Sequence, residues 1–91
     1  MTNITCTYSG DLHCEATHSG SGATLSTDAP LDNEGKGEAF SPTDLLATSL
    51  GTCMLTIMVI TARSRGWSIE GASANIEKVM SADGPRRIDT L

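Results

Sequence analysis

Eight consecutive residues, Cys53-Met54-Leu55-Thr56-Ile57-Met58-Val59-Ile60, make any helix through them apolar on nearly every side. A surface helix of a small domain needs only one apolar stripe, so this one must be covered all round. Both ends of the helix are marked. Ser41 suits the N-cap, Pro42 the first helical position, and Asp44 the positive end of the helix dipole. Arg63 and Arg65 complement the negative end, and Gly66 suits a left-handed stop. Cys53 lies inside the covered run, which makes a buried and reactive thiol the first candidate site.

A 91-residue chain with three aromatic residues, Tyr8, Phe40 and Trp67, has little with which to wrap such a helix. An intimate homodimer, or more chain, is the expected cover. The net charge of -5 without a basic block argues against nucleic acid as a partner. The start, Met1-Thr2-Asn3-Ile4-Thr5, has no signal-peptide pattern. The apolar run is about half of the ~20 residues that cross a membrane. The expectation is a cytoplasmic protein without a membrane partner. Three cysteines, Cys6, Cys14 and Cys53, in a reducing compartment read as free thiols.

Ile4–Tyr8 reads as a strand, Ser9-Gly10-Asp11 as a turn, and Leu12–His18 as a strand. In the latter, Leu12, Cys14 and Ala16 alternate with His13, Glu15 and Thr17. After Ser19-Gly20-Ser21-Gly22 comes a third strand, Ala23–Thr27, completing an antiparallel meander. Residues 28–40 form a loop whose Gly35-Lys36-Gly37 lacks the spacing of a phosphate loop. Beyond the helix, Trp67–Met80 reads as a fourth strand and Arg86–Leu91 as the start of a fifth. The strand pattern is still running at Leu91, so residues 1–91 are expected to be one truncated α+β domain.

The order β-β-β-α-β-β, the segment Ser-Pro-Thr-Asp-Leu-Leu-Ala-Thr-Ser-Leu-Gly-Thr-Cys from Ser41 to Cys53, and the closing Gly84-Pro85-Arg86-Arg87-Ile88 resemble the OsmC/Ohr family. These are the osmotically inducible protein C and organic hydroperoxide resistance proteins. The resemblance implies an intertwined homodimer with its two central helices packed together. It also implies thiol-dependent reduction of organic hydroperoxides, with Cys53 as the attacking thiol, no cofactor, and an external thiol as reductant. Phe40, Leu46, Leu50 and Met54 are the expected substrate pocket. The family's C-terminal strand and helix, which carries its resolving cysteine, would lie beyond Leu91. Its activating arginine comes from the N-terminal strands, whereas the first arginine here is Arg63. Its glutamate after the helix-entry proline is Thr43, and Asp44 points about 100° further round the helix.

Attack on a peroxide needs a thiolate, and an unperturbed thiol, with pKa near ~8.5, is mostly protonated at neutral pH. The helix dipole fades within its first turn, and Cys53 lies roughly three turns in. A cationic partner or strong hydrogen bonds are therefore required, the candidate cations being Arg86, Arg87, Lys36 or a side chain from a second subunit. Cys14 is the better substitute for the missing resolving thiol, because it shares the apolar strand face. Asp44 is first of all a helix-start residue. Cys6, His13, Cys14 and His18 match no structural zinc spacing. His13 and Cys14 also point to opposite faces of a strand, so no metal site is expected. The competing reading is a non-catalytic dimer of the same fold that binds a small hydrophobic ligand or serves as a scaffold.

Overall fold

The computed structural model describes residues 1–91, which pack as two compact units, Met1–Pro42 and Thr43–Leu91. The first unit is a three-stranded antiparallel meander of β1 (Ile4–Gly10), β2 (His13–His18) and β3 (Thr24–Asp28), in the order β1-β2-β3. Along β2 the side chains alternate as the pleat requires: Cys14 and Ala16 are half-buried while Glu15 and Thr17 are exposed. The first turn falls later than Ser9-Gly10-Asp11. Asp11 (φ 53°) and Leu12 (φ 62°) are both left-handed, the geometry of a two-residue hairpin turn that follows the strand twist. Leu12 is an unusual residue for that position. Its N–H donates to the Tyr8 hydroxyl at 3.3 Å.

β3 also runs one residue further than its apolar pattern, and the extra residue matters. The β2–β3 register sets His13 opposite Asp28. Asp28 is 1% exposed, and its carboxylate gathers the following loop. Oδ2 accepts the backbone N–H groups of Lys36 at 3.2 Å and Glu38 at 2.9 Å. The Asp28 N–H donates to the Phe40 carbonyl at 3.1 Å, beside a parallel bridge between Thr27 and Phe40. So residues 29–40, with a short 3-10 turn at Leu31–Asn33, are laced back along β3 and do not simply cross to the helix.

The long helix, α1, spans Pro42–Ser64. Its exit has the two reversed bonds of a Schellman cap. Trp67 N–H donates to the Ala62 carbonyl at 2.8 Å, and Gly66 N–H to that of Arg63 at 3.1 Å, with Gly66 at φ 72°. The chain's own residues cover only one stripe of α1, through Ala47, Gly51 and Ala62, with Leu55 and Val59 half-buried. At Gly51 the backbone runs so close to Ile76 that a Cβ would lie 2.9 Å from its Cγ1.

Leu46, Leu50, Cys53, Met54, Ile57, Met58 and Ile60 are exposed, which corrects the expectation of a helix, and a thiol, buried on all sides. The physical reason is supply. Outside α1 the second unit offers only extended chain and the short hairpin of β4 (Val79–Met80) and β5 (Ile88–Thr90). By length and composition α1 could cross a membrane, further than its eight-residue apolar run indicates.

The expected strand Trp67–Met80 is likewise reduced to Val79–Met80. In the antiparallel register Val79 pairs with Thr90. Residues 67–78 pair with no strand. Gly71, at φ 83°, turns the unpaired stretch.

Candidate functional site

Cys53 lines a shallow hollow of ≈ 280 Å³ with Ser49, Thr52, Thr56 and Ile57. The hydroxyls in this wall are satisfied by the helix itself. Thr52 Oγ1 donates to the Thr48 carbonyl and Thr56 Oγ1 to that of Thr52, each at 2.8 Å, and Ser49 Oγ to Leu46 at 2.7 Å. Their methyl and methylene groups are then what the hollow presents. A polar stripe prepared in this way tolerates an apolar occupant or cover without stranded donors.

The exposed apolar residues run along the helix from this hollow. Leu46, Leu50, Cys53, Ile57 and Ile60 recur at spacings of four and three, the seam pattern of a helix that packs against another helix. Leu46, Leu50 and Met54, three of the four expected pocket residues, are exposed on α1. The fourth, Phe40, is 55% exposed and belongs to the first unit, at the edge of β3.

The candidate cations have other engagements. Lys36 donates to Asp11 Oδ2 at 2.8 Å, which raises the lysine's pKa and lowers that of the carboxyl. Arg87 Nη1 closes its own turn on the carbonyls of Asp83 (3.2 Å) and Pro85 (3.0 Å). Arg63 lines a second hollow with Leu55, Thr56, Val59 and Ile60, but it sits about 15 Å along the axis from Cys53. Of the other thiols, Cys6 is exposed on β1. Cys14 lines a cavity of ≈ 290 Å³ in the first unit, with Tyr8, Leu12 and Asp28 among its walls.

One residue at the helix entry escaped the sequence reading. Lys78 Nζ lies 2.7 Å from Asp44 Oδ1 and donates to Thr43 Oγ1 at 2.8 Å, with its side chain only 16% exposed. The signal was present: Ile76, Lys78 and Met80 alternate as the half-buried residues of their segment. Asp44 is thus both a first-turn carboxylate and an ion-pair partner. Lys78→Met is expected to lower stability by about 1 kcal/mol in urea denaturation, between the values of a surface pair and a charged hydrogen bond.

Residues 35–91 match the family model for OsmC-like protein. The chain belongs to the OsmC family. The membership assigns α1 to the core of the fold in place of a membrane span. A chain of known structure is similar over nearly all of this one. It is a crystal structure at 2.15 Å resolution of a proposed osmotic stress induced and detoxification response protein from Psychrobacter arcticus 273-4. The two are 58% identical with a TM-score of 0.89, over 97% of this chain and 64% of that one. This OsmC-family chain therefore spans about two-thirds of the length of that neighbour. No curated protein matches it.

Proposed function

We propose that this OsmC-family chain acts in the stress response by reducing small organic hydroperoxides, with Cys53 as the attacking thiol in a cytoplasmic homodimer. The observation that carries the proposal is the position of Cys53. It stands at the end of the Ser41–Cys53 segment, within the residues that match the family, and opens into a hollow walled by methyl groups. The name of the Psychrobacter neighbour, with its detoxification response, supports the same reading.

The step is a two-electron transfer. The Cys53 thiolate attacks the terminal peroxide oxygen, an S–O bond forms as the O–O bond breaks, and the alkoxide leaves as an alcohol after taking a proton. Sulfur becomes sulfenic acid. An external thiol then condenses with it, releasing water, and a second thiol reduces the mixed disulfide. Leu50, Met54 and Ile57, beside Cys53 on the helix, would favour an alkyl hydroperoxide over hydrogen peroxide by apolar contact.

The homodimer rests on the uncovered seam of α1. A second copy presenting the same stripe would supply cover by two-fold pairing, and with it a cation and further substrate walls for Cys53. The test is turnover of tert-butyl hydroperoxide with dithiothreitol as reductant. Wild type is expected to consume the peroxide catalytically and Cys53→Ser to fall to the uncatalysed rate. Equal rates for the two proteins would overturn the proposal.

A non-catalytic dimer of the same fold, binding a small hydrophobic ligand or acting as a scaffold, is the second reading. It is favoured by Thr43 standing at the glutamate position, with its hydroxyl held by Lys78.

A further inference from the structure

A second constellation lies in the first unit and involves no thiol. His13, Asp28 and Glu38 bring one ring nitrogen and two carboxylate oxygens within 4.8 Å of one another. The ring's orientation is decided by its other side. His13 Nδ1 lies 2.7 Å from the Asp11 carbonyl, which can only accept, so Nδ1 carries the proton. In the neutral ring Nε2 is then a bare lone pair, and it faces Asp28 Oδ2 at 3.5 Å. Two acceptors held face to face require a positive species to join them.

Asp28 adds an independent sign. Its side chain is fully buried, yet Oδ1 has no hydrogen-bond partner while Oδ2 already takes two backbone N–H groups. Buried carboxylate oxygens are normally satisfied. The nearby Lys36 ammonium is committed to Asp11.

We propose that His13, Asp28 and Glu38 form a zinc site. A single proton on Nε2 would answer the His13–Asp28 contact alone. A divalent ion answers all three groups, because a neutral imidazole and two carboxylates carry a charge of -2 between them. One nitrogen and two oxygens suit a borderline metal and leave a fourth position open. Bonds of about 2.0–2.1 Å in a tetrahedron separate neighbouring ligand atoms by roughly 3.4 Å, and the three ligand atoms here lie within 4.8 Å of one another. Glu38 is exposed on the loop and is free to adjust to the ion. The supporting shell is in place: the ring nitrogen away from the site donates to a carbonyl, and the Asp28 carboxylate is oriented by backbone N–H groups. The ion would fasten the loop to β2 and β3.

The test is titration of the full 91-residue chain with Co²⁺ under anaerobic conditions, followed by displacement with Zn²⁺. One equivalent is expected to bind with visible ligand-field absorption and no thiolate charge-transfer band, and Zn²⁺ is expected to displace it. His13→Gln and Glu38→Gln are each expected to weaken binding by at least about tenfold. Glu38→Gln keeps the backbone N–H that orders the loop, so circular dichroism should be unchanged and loss of binding is not loss of fold. Absence of binding, a thiolate band, or binding that neither variant weakens would overturn the site.

Discussion

Gly35→Ala is expected to lower stability by about 3 kcal/mol, at the severe end for a single methyl group. A Cβ at Gly35 would lie 1.7 Å from the Ala29 carbonyl oxygen and 2.1 Å from its carbon, both backbone atoms that no rotamer change can move aside. The loop must open, and with it go the Gly35 N–H bond to Pro30 and the Lys36 and Glu38 N–H bonds to Asp28. Gly20→Ala is the control, since its Cβ would meet only the His18 ring, at 3.2 Å. Urea denaturation of the two variants beside wild type makes the comparison.

The same loop confers a pH dependence. The Glu38 N–H bond, helped by the Lys36 N–H, holds the Asp28 pKa below its ordinary 3.8, against the opposing effect of burial. A depressed carboxyl contributes stability that is complete above the unfolded value and is lost as the pH falls through the folded one. The Tm of wild type should therefore drop more steeply below about pH 4 than that of Asp28→Asn.

Ile57→Glu is expected to dissociate the dimer, with the fold of a single chain retained. In one chain Ile57 is 57% exposed, so a carboxylate there meets water. In the proposed helix-to-helix seam it would be an unpaired buried charge. That costs about 3 kcal/mol or more, roughly 100-fold or more in the dissociation constant. Sedimentation equilibrium should report twice the 9.5 kDa chain mass for wild type and a single chain for the variant. A variant that stays dimeric places the interface elsewhere.

The central helix was legible because local signals agreed at both ends. Pro42 opens it and Gly66 closes it, and neither depends on distant partners. The meander was legible from the alternation in β2. Trp67–Met80 was not, since a strand exists only where a neighbour pairs with it, and the register leaves most of that segment without one. The run around Cys53 demands cover for α1, but a sequence does not say which chain supplies it, and within one chain most of that run is exposed. The His13–Asp28–Glu38 cluster was hidden by one residue. With β3 ended at Thr27, Asp28 becomes a loop residue, whereas the antiparallel register carried one step further sets it opposite His13.

The function proposed for this chain turns on Cys53 being a peroxide-attacking thiol. The most direct measurement is peptide mass spectrometry after brief exposure to substoichiometric tert-butyl hydroperoxide with a sulfenic-acid trap. Selective labelling of Cys53, faster than with equal hydrogen peroxide and ahead of Cys6 and Cys14, is the predicted result. A Cys53 that stays unlabelled, or that reacts no faster than the other two, would contradict it.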